Sequence, residues 1–153
     1  MKQIILGVKA AALGLLCATI FSFTSRPGGE GFEIYLNNKL LVQKFGKDIN
    51  TVESLQLEPQ FADAQLTVKY YHCGRAGKDR HITIRNAQNR VLKQWNFPDN
   101  NSSPAMNFNT GDIYSLAKGN TTLSLYYASS ELPSGRLLAS LVSVGNTAAK
   151  HAK

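Results

Sequence analysis

The stretch Phe32-Glu33-Ile34-Tyr35-Leu36-Asn37-Asn38-Lys39-Leu40-Leu41-Val42-Gln43-Lys44-Phe45 decides the fold class. Phe32, Ile34 and Leu36 alternate with polar or amphipathic neighbours, the period of a strand with one buried face. Asn37-Asn38 then interrupts the pattern. Asparagine tolerates positive φ, which both central residues of a primed turn require. The run from Leu40 to Phe45 therefore returns antiparallel to the first, and the pair reads as a β-hairpin.

Similar runs recur on both sides of turn signals. Leu55 and Leu57 mark a short strand, and Leu66, Val68 and Tyr70 alternate in the next. Ile82 and Ile84 follow a turn over Gly74–Asp79. Asn86-Ala87-Gln88-Asn89 turns into Val91–Phe97, where the spacing places Val91, Trp95 and Phe97 on one face. A short strand is expected at Ala105–Phe108, then a helical turn over Asp112–Ala117 capped by Thr110. Leu123, Leu125 and Tyr127 alternate again, and Pro133-Ser134-Gly135 turns the chain into Leu137–Val144. About eight or nine short strands with little helix predict an all-β fold, an antiparallel β-sandwich or flattened barrel. Leu66–Tyr71 echoes Leu123–Tyr127, which reads as two core strands of similar composition. Tyr71 and Tyr126, the outward members of the two tyrosine pairs, would make a stacking platform if their strands shared a sheet.

The N-terminus reads as an address. Lys2 and Lys9 precede an apolar run of 14 residues, Ala10–Phe23, with the small residues Ser22, Thr24 and Ser25 at its exit. That is the pattern of a secretory signal peptide, and the run is short of the roughly 20 residues of a membrane span. The expected organisation is a signal peptide over 1–24, a flexible linker over 25–31, a β-sandwich domain over 32–145 and a disordered tail over 146–153. The protein is expected to be secreted or periplasmic. Cys17 leaves with the signal, so Cys73 is the remaining cysteine and no intramolecular disulfide can form. An odd cysteine in an exported chain suggests an intermolecular bridge or a free thiol.

The charge is unevenly placed. Only Lys2 and Lys9 depart with the signal, so 15 of the 17 basic residues face 10 acidic ones. Lys69, Arg75, Lys78, Arg80, Arg85, Arg90 and Lys93 fall within 25 residues, with Asp79 the only acid among them. The strands of Leu66–Tyr70 and Ile82–Ile84 read as a hairpin in which Ile82 and Ile84 share the core face of Val68 and Tyr70, so odd residues pair with odd. Lys69, Tyr71, His81, Thr83 and Arg85 then share its outer face. Such a basic face carrying an aromatic suits an anionic glycan, a lipid head group or an acidic protein. Export argues against nucleic acid. The alternative is that charge protects a sheet edge.

The same register places Cys73 opposite or diagonal to His81. Thiolate and imidazole are good zinc or copper ligands, so the pair is a candidate half of a metal site. Catalysis would need an orienting acid and oxyanion donors besides. The candidate ligand-binding residues are thus Lys69, Tyr71, Arg75, Lys78, Arg80 and Arg85, the metal alternative is Cys73 with His81, and no catalytic residue and no cofactor are assigned. The expected function is non-catalytic binding or envelope structure. Its rivals are metal binding and a homodimer linked through Cys73.

Three segments, Gly31–Lys39, Tyr70-Tyr71-His72-Cys73-Gly74-Arg75 and Glu131-Leu132-Pro133-Ser134-Gly135-Arg136, resemble those of small secreted proteins of uncharacterised function from Gram-negative bacteria. The resemblance spans most of the mature chain. It implies a bacterial exported β protein, and no activity or site residues.

Overall fold

A computed structural model describes residues 29–58, 60, 62–99, 103–117 and 122–143. The segment read as a signal peptide and the tail 146–153 lie outside the described residues. The chain is an all-β sandwich. Its strands are β1 (Gly31–Leu36), β2 (Lys39–Phe45), β3 (Glu53–Leu57), β4 (Gln65–Tyr71), β5 (Arg80–Arg85), β6 (Val91–Phe97), β7 (Ala105–Asn109), β8 (Thr122–Ser129) and β9 (Leu132–Ser143), with one helix, α1 (Thr110–Ala117). One sheet has the order β2-β1-β4-β7 and the other β3-β9-β8-β5-β6. Pairing is antiparallel except between β3 and β9.

The opening hairpin forms as read. Asn37 and Asn38 both adopt positive φ (46° and 66°), the primed geometry that matches the twist of β1 and β2. Gly31 already belongs to β1, so the domain begins within the segment read as linker. The alternating residues converge on one core. Phe32, Ile34, Val68 and Tyr70 come from one sheet, and Ile82, Ile84, Leu125 and Tyr127 from the other, all fully buried. Tyr70 stacks on Tyr127 with centroids 4.1 Å apart, and Trp95 on Phe108 at 4.6 Å, so aromatic pairs bridge the sheets. At roughly 25 cal/mol per Å² of apolar surface removed from water, this shared layer is the main source of stability.

Four local expectations are corrected. First, β4 and β5 are not a hairpin. β4 pairs with β1 and β7, whereas β5 pairs with β6 and β8, so residues 72–79 carry the chain from one sheet to the other. Second, Val91 leaves the face of Trp95 and Phe97. A register shift between Ile84 and Arg85 sets it opposite Arg85, where it is 48% exposed. Third, Thr110 does not cap α1. Its hydroxyl donates to the carbonyls of Ala62 and Ala64, and Asn109 Oδ1 accepts the Gly111 N–H at 2.6 Å. Fourth, the last turn is earlier than Pro133-Ser134-Gly135, which lies inside β9. Gly135 takes φ +72° where the β8–β9 register shifts, a conformation open to glycine.

The crossover can be tested by cross-linking. In a Cys73→Ser background, Lys69→Cys with Ala105→Cys should form a disulfide under mild oxidation, because these residues are partners across β4 and β7. Lys69→Cys with Thr83→Cys should stay reduced. The reverse result would restore the hairpin.

Candidate functional site

The residues read as one basic face are distributed over four places. Lys69 and Tyr71 lie on the outer face of the four-stranded sheet. Lys69 sits 4.5 Å above the Tyr35 ring. The Tyr71 hydroxyl donates to Glu33 Oε2 at 3.1 Å, alongside Tyr35 (2.9 Å), while Gln43 donates to Oε1 at 2.9 Å. Burial acts to raise the Glu33 pKa, but these three donors and the charge of Lys69 outweigh it and hold the carboxyl below its usual value of 4.5. Both residues are thus engaged in a network that contains its own anion.

Arg75 and Lys78 lie in the crossover. His72 and Arg75 exchange backbone hydrogen bonds (2.7 and 3.0 Å), which makes Cys73 and Gly74 the centre of a two-residue turn with φ of 50° and 82°. Cys73 is exposed at its tip. Arg80 has the same parity as Ile82 and Ile84, so it points into the protein and is 2% exposed. Its guanidinium donates to the carbonyls of Ser103 (2.9 Å) and Pro98 (3.2 Å), and Nε has no partner among the described residues.

Arg85 projects from the outer face of the five-stranded sheet, on the far side of the sandwich from Lys69. Its guanidinium carbon lies 4.1 Å from the centroid of the Tyr126 ring on neighbouring β8, and Nη1 donates to Asn89 Oδ1 at 3.1 Å. β5, β6, β8 and β9 contain no acidic residue at all. Tyr71 and Tyr126 belong to different sheets, so the stacking platform does not form. The register that would have brought Cys73 to His81 is absent too. Among the described residues no three His, Cys, Asp or Glu side chains are grouped to hold a metal.

A second cluster lies beneath the crossover. His72 continues the inward parity of Val68 and Tyr70, and its ring is 4.8 Å from Tyr70. Its Nδ1 lies 3.3 Å from Glu30 Oε1, and Glu30 Oε2 accepts from Arg136 at 2.9 Å. Arg136 Nε also donates to the Tyr70 hydroxyl at 2.8 Å. A carboxylate only accepts, so Nδ1 carries the proton that faces Glu30. In the neutral imidazole Nε2 then accepts, with the Tyr127 hydroxyl at 3.0 Å and Ser129 Oγ at 3.1 Å. Burial pushes the Tyr127 hydroxyl up to about 12 against the opposing hydrogen bond of Ser129, so it keeps its proton.

Ser129, His72 and Glu30 thus have the order of a nucleophile, base and orienting acid. Access is what they lack. Ser129 is 3% exposed, and Tyr127 shares the same imidazole nitrogen. Gly77 packs directly over the cluster. A Cβ there would fall 2.5 Å from the Tyr127 hydroxyl and 3.0 Å from His72 Cδ2. The strap is tied down where Lys78 N–H donates to both Glu131 oxygens (3.0 and 3.3 Å) and Ser130 N–H to the Lys78 carbonyl (2.9 Å). The cluster's evident work is to satisfy buried polar groups and join the sheets.

His72 was legible as an inward residue from parity, but Glu30, Ser129 and Arg136 were not, because their partners are distant in sequence. Arg80 could have been placed correctly: its even number puts it with Ile82 and Ile84.

Two outcomes follow. Gly77→Ala should lower stability by about 1–3 kcal/mol in urea unfolding, since the methyl must displace the strap or the Tyr127 hydroxyl. Glu33 has a folded pKa below its unfolded one, so its contribution is fully present above pH 4.5 and lost as pH falls through the folded value. The stability difference between the parent and Glu33→Gln should accordingly shrink in acid and be constant at neutral pH. No protein-family model matches the chain, and no curated protein matches it either.

Proposed function

We propose that the chain is an exported, non-catalytic binding protein that takes an anionic ligand on the outer face of its five-stranded sheet. The observation that carries this reading is Arg85 lying over Tyr126 on a face whose strands β5, β6, β8 and β9 hold no carboxylate. The Tyr126 ring orients the guanidinium and Asn89 takes one donor, which leaves further N–H groups for a carboxylate, sulfate or phosphate. Ser124 is placed on the same face by its register with Arg85, and it adds a neutral hydroxyl. A polar, aromatic-bearing surface favours an anionic glycan over a lipid head group or an acidic protein, and the test separates glycan from lipid. The sealed Ser129–His72 pair supports a role without catalysis.

A second reading, a homodimer linked through Cys73, is favoured by the exposure of that thiol at a turn tip. Metal binding by Cys73 and His81 has no comparable support.

The mature protein should be retained on an immobilised uronate polymer at low ionic strength and released by salt. Arg85→Ala should weaken retention roughly tenfold, the loss of one charge-assisted contact of about 1.5 kcal/mol. Equal retention of parent and variant would remove Arg85 from the site. Retention on phosphatidylglycerol vesicles alone would move the ligand to lipid. Arg80 is unsuited to this test, since reversing a buried charge disrupts the fold.

A further inference from the structure

We propose that the cleft where β5 begins and β6 ends is a subsite for one sugar ring of the ligand whose charged group meets Arg85. The inference rests on the binding function proposed above and names where the neutral part of that ligand sits. The cleft is open, has a volume of about 580 Å³, and is lined by Asp79, Arg80, His81, Asn96, Phe97 and Pro98.

Among the described residues, its polar groups are committed on one side and free on the other. The Asp79 carboxylate accepts from Ser130 Oγ through Oδ2 at 2.5 Å, which leaves Oδ1 as an acceptor. His81 Nδ1 lies 3.3 Å from the Asp79 carbonyl, so Nδ1 carries a proton and Nε2 of the neutral ring accepts. Asn96 Oδ1 takes the Gln94 amide at 2.7 Å, and its Nδ2 donors remain. Phe97 and Pro98 supply an apolar wall. Arg80 beneath holds the Pro98 and Ser103 carbonyls and so fixes the floor.

Acceptors and donors beside an apolar wall match a polyhydroxylated ring. Each hydroxyl both donates and accepts, and the ring's C–H face packs on carbon. A small free anion fits less well, because Asp79 lines the cleft and Asp99 accepts the Asp79 N–H at 2.9 Å. His81 and Asn96 are partners across β5 and β6, on the sheet face that bears Arg85. His81 and Arg85 are four positions apart, about 13 Å along a strand. A short acidic oligosaccharide spans that distance.

The test is a glycan array of neutral and uronate-containing oligosaccharides probed with the mature protein, followed by calorimetric titration of the best-retained glycan. Asn96→Ala and Asp79→Asn should each weaken binding at least tenfold with melting temperature unchanged, and Arg85→Ala should weaken only the acidic glycans. Cleft variants that bind like the parent, while Arg85→Ala loses affinity, would overturn the subsite and leave the face intact. Retention of no glycan would overturn the subsite as well, and the vesicle and uronate-polymer experiments would then judge the face alone.

Discussion

The contact on which the architecture depends is the stack of Tyr70 on Tyr127, 4.1 Å between centroids. β4 and β8 are interior strands of opposite sheets, so this pair joins the two layers at their centre. Tyrosine serves there because it has two ends. The rings fill the core, while each hydroxyl is carried toward a polar belt. Arg136 meets Tyr70, His72 meets Tyr127, and Glu30 connects Arg136 to His72. An unpaired hydroxyl at this depth would cost a kilocalorie or more, and the belt removes that cost. Glu30, at the start of the described fold, is thereby fixed against Arg136 of β9, the last strand.

The crossover 72–79 follows from the same arrangement. The chain leaves β4 on the inward side through His72, makes a tight turn at Cys73-Gly74, and passes over the Tyr127 hydroxyl at Gly77 before entering β5 in the other sheet. Because the strap is sealed by backbone and carboxylate hydrogen bonds, the buried Ser129–His72 pair acts as a joint between layers. On the proposed reading, the ligand-facing groups lie on the outer face of the five-stranded sheet and in the cleft at its end. There Arg85, Tyr126, His81 and Asn96 meet solvent.

Charge counting along the chain and charge placement in space give different pictures here. Seven basic residues between Lys69 and Lys93 look like one patch in one dimension. In three dimensions Lys69 is held with Tyr35 and Glu33, and Arg80 is interior. Lys93 pairs with Asp112 at 3.3 Å, and only Arg85 is combined with an aromatic on an acid-free face. The useful quantity is which charges lack a compensating partner, and that depends on strands far apart in sequence.

Period-two alternation determined from the sequence alone that Phe32, Val68, Tyr70, Ile82, Ile84 and Tyr127 would be buried and that the fold would be all-β, because an apolar face must leave water whatever its neighbours are; two sheets rather than a flattened barrel were decided by the tertiary structure. The primed turn at Asn37-Asn38 was legible for an equally local reason, the φ that asparagine tolerates. Alternation says whether a side chain points in or out, and it is silent on which of two sheets a strand joins. Both choices bury Ile82 and Ile84 equally well. Tertiary structure made that choice when β5 paired with β8 and not with β4. It thereby separated Lys69 from Arg85, kept Cys73 from pairing with His81, and assembled Glu30, His72, Ser129 and Arg136 into one cluster. The pairing of β4 with β1 and of β5 with β8 is a non-local hydrogen-bonding decision, because the partners lie far apart in sequence.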